Sequence, residues 1–215
     1  KREVKNGTLI KVGRTSSSKY FLSTGNVIEF ALGIDKKLGE DRVWSKYVKP
    51  LMQGFPENVY KICNYGFTEM YNNAIDHSEG TSIFTSVAIK DGKIIMTIMD
   101  NGIGIFQKIQ NALKLSSIRE SILHLSKGKF TTDPTRHSGQ GIFFTSRVFD
   151  SFSILSSDLY YTFSKGDWFM STEKKHGEKG GTFIRMSLDM NTERNIKNVL
   201  DQYSGVDTGF TKTIV

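Results

Sequence analysis

Apolar side chains change period along this chain, and the changes mark its elements. From Glu57 onward they recur every third or fourth position, at Val59, Ile62, Phe67, Met70, Ala74 and Ile75, with Pro56 at the start. That is the stripe of a long helix burying one face. Strict alternation follows over Ser82 to Lys90 and Lys93 to Met99, on either side of Asp91-Gly92, and predicts a hairpin. Alternation returns at Ser151 to Ser156, Tyr160 to Phe163, Asp167 to Thr172 and Thr182 to Leu188, which read as strands. Helical spacing marks Ile118 to Leu125, Gly141 to Phe149 and a last stretch from about Glu193 to Tyr203. Upstream, Thr8 to Val12 and Lys19 to Leu22 are short extended pieces around the polar residues 13–18, a β-hairpin. Asn26 to about Leu38 and Asp41 to about Met52 read as connecting helices. Residues 106–138 form a longer stretch whose polar end, Lys127 to His137, reads as a lid.

Bulk properties narrow the classes. With 215 residues, 38% of them hydrophobic, there is room for one full domain and a small appendage around a real core. No run approaches the ~20 apolar residues of a membrane span, and the basic N-terminus lacks a signal peptide's apolar stretch, so no membrane partner and a cytoplasmic address are expected. The single Cys63 cannot form an internal disulfide and reads as a packed helix residue. A net charge of +7 suits a polyanionic partner such as a nucleotide or nucleic acid, yet the cations are spread along the chain, as on an ordinary solvated surface. No two His or Cys residues have metal-ligand spacing.

The chemistry-bearing residues fall in four boxes. Glu69, Asn73 and Asp76 stand at i, i+4 and i+7 of the long helix and share its polar face. Asn73 offers an oxygen to a Mg²⁺ held mainly by waters and phosphates, and Glu69, one turn earlier, can act as a base beside a γ-phosphate. Asp100 ends a strand and is followed by Gly102 and Gly104, whose backbones are free of side-chain restraint. Its carboxylate can accept from the exocyclic amine of adenine, which guanine lacks at that position. Gly139, Gln140, Gly141 and Ile142 stand at a predicted helix start, where backbone amides cradle phosphates. Gly180-Gly-Thr182 opens the last strand. In the lid, Lys127, Lys129, Thr131, Thr132, Arg136, His137 and Ser138 are candidates for folding over the γ-phosphate. Each box alone could be turn chemistry or solvated surface; the ordered set reads as an ATP site.

The ordered set resembles the GHKL superfamily, whose Bergerat fold binds ATP in gyrase, chaperone, MutL, histidine-kinase and anti-sigma-factor kinase proteins, over about residues 50 to 190. The resemblance implies an α+β fold, a two-layer α/β sandwich with a mixed sheet covered by helices on one face, plus an N-terminal β-hairpin. It implies ATP and Mg²⁺ as cofactors, Asp100 as the base-reading residue, Thr182 backing it through water, Asp76 as pocket lining, and Glu69 as base. A narrower likeness, carried by Phe67 to Ser78, Asp100 to Phe106, Lys127 to Thr132 and His137 to Ser146, is to bacterial proteins in which a winged helix precedes such a domain and a STAS-like domain follows. The segments then divide as 1–23, a hairpin that is either a wing remnant or a packed β-arm; 24–56, connecting helices; 57–190, the ATP-binding domain; and 191–215, a helix and the start of a STAS-like segment. By this likeness the chain belongs to a signalling or transcription regulator, and two activities stay open. One is slow ATP hydrolysis or phosphorylation of a serine or threonine on a STAS-like partner, in cis or in trans. The other is a non-catalytic nucleotide sensor controlling a DNA-binding domain. A homodimer and DNA contact through an upstream winged helix are further expected partners. Two departures limit the likeness: the short upstream region holds no phosphoacceptor helix pair of a histidine kinase, and the length after Thr182 is too short for a gyrase-type transducer domain.

Overall fold

A computed structural model describes residues 9–12, 19–22, 27–35, 37–127, 140–172 and 180–203, the first two stretches by backbone alone. The strands are β1 (Leu9–Val12), β2 (Lys19–Leu22), β3 (Val27–Gly33), β4 (Ser82–Lys90), β5 (Lys93–Asp100), β6 (Ser151–Ser156), β7 (Leu159–Ser164), β8 (Asp167–Thr172) and β9 (Thr182–Asp189). The helices are α1 (Glu40–Val43), which continues through a π turn (Trp44–Val48) and a 3-10 turn (Lys49–Met52), α2 (Glu57–His77), α3 (Ile105–Leu113), α4 (Glu120–Ser126), α5 (Gly141–Val148) and α6 (Ile196–Tyr203). β1 and β2 pair antiparallel, Leu9 opposite Leu22 and Val12 opposite Lys19. The other seven strands form one sheet in the order β3-β4-β5-β9-β6-β7-β8.

The fold is of the expected α+β class, with three differences in detail. The sheet is antiparallel at every pairing rather than mixed. Two of its connections are two-residue turns with positive φ at both positions, Asp91 and Gly92 between β4 and β5, and Lys165 and Gly166 between β7 and β8. Such two-residue turns match strand twist and can only reverse the chain. The second difference lies in residues 24–56, expected to be connecting helices: Val27–Gly33 is the edge strand β3, paired along its length with β4. Ile28, Phe30 and Leu32 face the core, and Phe30 stacks on Tyr47 with ring centroids 4.4 Å apart. The third is the helix α3, which starts at Ile105 and runs into the stretch 106–138, where only Ile118 to Leu125 was expected to be helical.

α2, about 31 Å long, is the spine of the helical layer. Its buried stripe holds Val59, Ile62, Cys63, Phe67, Met70, Tyr71 and Ala74. Burial pushes the Cys63 thiol far up, so this side chain acts as a small apolar group. Phe67 stacks on Tyr71 at 5.1 Å and meets Trp44 at 5.5 Å. At Gly66 the helix comes so near the sheet that an added Cβ would meet Phe149 Cζ at 2.8 Å and Met186 Sδ at 3.3 Å. Inward residues of the central strands, among them Ile83, Val87, Ile94, Met96, Ile98, Ile154, Ile184 and Met186, complete this core. Among the described residues, no helix is long and apolar enough to cross a membrane.

Candidate functional site

The sheet topology brings the sequence boxes together at one end. β9 inserts between β5 and β6, so the start of β9 meets the end of β5. Asp100 and Thr182 therefore become neighbours although 82 residues separate them. Asp100 Oδ1 accepts from Gly102 N at 2.9 Å and from Thr182 N at 3.2 Å. The Thr182 hydroxyl also hydrogen-bonds this carboxylate, and its oxygen accepts from Ile105 N at 3.0 Å, in the place of an N-cap for α3. Asp100 is 8% exposed. Burial pushes its carboxyl above the usual carboxylate range, and the Gly102 and Thr182 donors oppose that shift without cancelling it.

The glycines of the two loops are there because backbone packs on backbone. Gly181 N donates to Gly102 O, and a Cβ on Gly180 would stand 2.5 Å from that same carbonyl. Gly104 and Gly181, at φ 88° and 89°, sit in the region that favours glycine. Ser156 Oγ closes the corner by donating to Gly181 O at 3.0 Å. On the other side, the end of α2 docks on the first loop: Ile103 N donates to Ser78 O at 2.9 Å, and an added Cβ on Gly102 would collide with Ser78. Asn101 is a brace. Its Oδ1 accepts from Thr81 N at 2.8 Å and Ser82 N at 3.0 Å, and its amide donates to Thr81 Oγ1 at 2.9 Å. Lys108 on α3 donates to His77 O at 2.7 Å and pairs with Glu79 at 3.0 Å, placing a cation at the carbonyl end of α2.

The other end of the candidate site is built around Glu69. An added Cβ on Gly141 would run into the Glu69 carboxylate, so this acid lies against the first residue of α5. From Glu69 to Ser78 the helix advances about 13 Å, which separates the acid from the Asp100 corner. Asn73, half-buried, stands one turn after Glu69 on α2, and Asp76 is exposed. Gln140 is buried and Ile142 half-buried at the α5 start. Tyr65, one turn before Glu69, has its phenol held far up by burial and then by the Glu69 charge. Lys129, Thr131, Thr132, Arg136, His137, Ser138 and Gly139 lie outside the described residues, and Lys127 is exposed at the end of α4.

The sequence reading did not single out Ser78, Asn101, Lys108 or Ser156. A serine, an asparagine and a lysine in loops and helix faces carry no local signature, and their partners are 20 to 31 residues away or across the sheet. The nearest signal was the paired loop glycines, which imply that some other backbone approaches closely.

Residues 65–192 match the family described as "Histidine kinase-, DNA gyrase B-, and HSP90-like ATPase", and the chain belongs to that family. It carries a GHKL ATPase domain, an ATP-binding domain of the Bergerat fold. Among solved structures, the 43K ATPase domain of Thermus thermophilus gyrase B, solved with an aminocoumarin, matches with 17% identity and a TM-score of 0.35, over 77% of this chain. The chain spans 44% of the length of that structure. A search of curated proteins finds no match.

Proposed function

We propose that Asp100, Thr182 and the two glycine loops hold the adenine of ATP, and that Glu69 is the base that acts at its γ-phosphate. The observation that carries this reading is the placement of the Glu69 carboxylate against Gly141, at the N-terminus of an eight-residue helix. Exposed amides and the helix dipole favour phosphate at that end, so base and phosphate share one locus. Glu69 takes the proton of the attacking hydroxyl as its oxygen bonds to the γ-phosphorus and the bridge to the β-phosphate breaks. At the other end, the Asp100 carboxylate, fixed by the Gly102 and Thr182 amides, accepts from the adenine amine. Burial makes that acceptor selective, because a carbonyl in its place would leave the carboxylate unpaired.

Asn73 supports a magnesium role. It offers one neutral oxygen a helical turn from Glu69. A divalent cation would be held here through phosphate oxygens and Asn73, where it would offset phosphate charge. The attacking group in our reading is water or a serine or threonine of a STAS-like partner, the latter supported by the wording of residues 206–215, which lie outside the described residues. Incubation with γ-labelled ATP and Mg²⁺ tests this, with free phosphate and protein-bound label followed together. Glu69→Gln should lower turnover about 10² to 10⁴-fold, the usual worth of a general base, and leave ATP binding intact. Binding without any product in the wild type would refute the catalytic role and favour a nucleotide sensor.

A further inference from the structure

Among the described residues no strand lies outside β8, which ends the sheet. Its three successive apolar residues, Trp168, Phe169 and Met170, are 38%, 57% and 46% exposed. Trp168 and Met170 share the helix side of the sheet with Tyr161 and Phe163, and Phe169 turns to the other side. Trp168 lies along Tyr161 with ring centroids 6.3 Å apart, so the apolar layer runs on to the rim. Edge strands are commonly guarded by proline, lysine or a bulge. β8 contains neither proline nor lysine and pairs with β7 without a break. The direction of its backbone groups follows from the turn before it. Lys165 and Gly166 make a two-residue turn, so Ser164 and Asp167 close it as a hydrogen-bonded pair, and Phe169 and Ser171 bond to β7 in the same way. Trp168 and Met170 therefore turn N–H and C=O to the rim. Trp168 N donates there to Oδ1 of Asp167 at 2.8 Å.

We propose that β8 pairs antiparallel with β8 of a second copy of the chain, edge to edge, about a twofold axis that stands normal to the sheet beside Phe169. Trp168 of one copy then faces Met170 of the other, and in each such pair the outward backbone groups exchange both N–H···O bonds. The two Phe169 rings meet across the axis as a non-hydrogen-bonded pair, the closer kind, with Cα atoms about 4.5 Å apart. Asp167, the one charge of the strand, faces Ser171 of the other copy and gives up its own Trp168 amide for that hydroxyl. An axis beside Trp168 would set Asp167 against Phe169, and one beside Met170 would set it against the position after Thr172, a glutamate. The charge thus selects the first register. Because the axis is normal to the sheet, the helices of both copies stay on one side, and Trp168 and Met170 of each form a shared apolar floor between them. The edge is complementary to itself and is used up by pairing, so assembly stops at two copies. A standard stable interface buries about 800 Å² per partner. A six-residue edge with three apolar side chains offers less, so the dimer is weak and concentration-dependent. The inference uses strand order, register and exposure, independently of the nucleotide reading.

Sedimentation equilibrium of the 215-residue chain across micromolar to several hundred micromolar tests it, with circular dichroism confirming that each variant is folded. Met170→Pro removes an outward N–H that β7 does not use, and Met170→Lys sets a cation on the rim. Each should raise the dissociation constant at least about tenfold and leave Tm near the wild-type value. Register is read by oxidation at a concentration where the dimer forms. Phe169→Cys should cross-link two chains, since Cα atoms about 4.5 Å apart can be bridged. Ser171→Cys should not, because its counterpart lies about 14 Å away along the strand, and the native Cys63 is buried and does not compete. A wild-type chain that stays monomeric throughout overturns the proposal. So does a dimer indifferent to both Met170 substitutions, and so does a Ser171→Cys chain that cross-links as readily as Phe169→Cys.

Discussion

Replacing Thr182 by valine removes one oxygen and preserves the shape of the side chain. In the folded protein that oxygen ties two loops together: it hydrogen-bonds the Asp100 carboxylate and accepts from Ile105 N at 3.0 Å. Leaving a buried donor without a partner costs about 1–3 kcal/mol. Ile105 is half-buried, so the lower end applies, about 1 kcal/mol. For a chain of this size that lowers Tm by about 2–4 °C. Asp100 loses one of the donors that oppose its burial and hold it in place, so its carboxyl moves further above the usual range and is less firmly oriented toward the adenine amine in our reading. A loss of about 1.4 kcal/mol, or tenfold in ATP affinity, is expected. Thermal unfolding and calorimetric titration with ATP measure the two effects, and Thr182→Ser, which keeps the hydroxyl, should behave like the wild type in both. A valine variant with unchanged Tm and unchanged ATP affinity would refute the reasoning.

The remaining predictions test the packing and the electrostatics. Asp100→Asn should bind ATP more weakly yet be more stable at neutral pH, because the folded carboxyl titrates above its unfolded value of 3.8. With that sign, the stability Asp100 contributes is complete below the unfolded value and is lost as pH rises through the folded one, so the advantage of Asn over Asp should grow with pH across that window and level off below 3.8. Urea unfolding as a function of pH measures it, and a pH-independent difference would contradict the assignment. Gly66→Ala gains about 1 kcal/mol of helix propensity but forces its Cβ into the Phe149 ring, which is 1% exposed. Overpacking of about 1–3 kcal/mol should prevail. In a Phe149→Leu background the same change should become neutral or stabilising in urea unfolding, which an uncoupled pair would not show.

Local periodicity carried the elements whose two faces differ. The α2 stripe and the alternation of β4 and β5 were legible because each needs only one buried face and one polar face within a few residues, and the hairpin turn between the strands is written as Asp91-Gly92. β3 was read as helical because Val27 and Ala31, on its open face, are as apolar as Ile28, Phe30 and Leu32 on its buried face, so alternation disappears. The helix α3 was not separated from its surroundings because the hydroxyl at its N-terminus belongs to Thr182, 77 residues further on, and nothing before Ile105 announces a start. The chemistry of the site was likewise legible as residue types in order: a carboxylate and an amide one turn apart, an acid at a strand end, glycines at loops. Which of them meet was decided by the tertiary structure. The insertion of β9 between β5 and β6 is a non-local pairing, and it alone brings Thr182 to Asp100 and Gly181 to Gly102. The approach of α5 to α2 that puts Gly141 against Glu69 depends on helix packing over the sheet, with Phe149 seated at Gly66. A linear sequence states which groups can hydrogen-bond or pack; contacts between distant segments follow from how the layers close, and only the folded chain sets those distances.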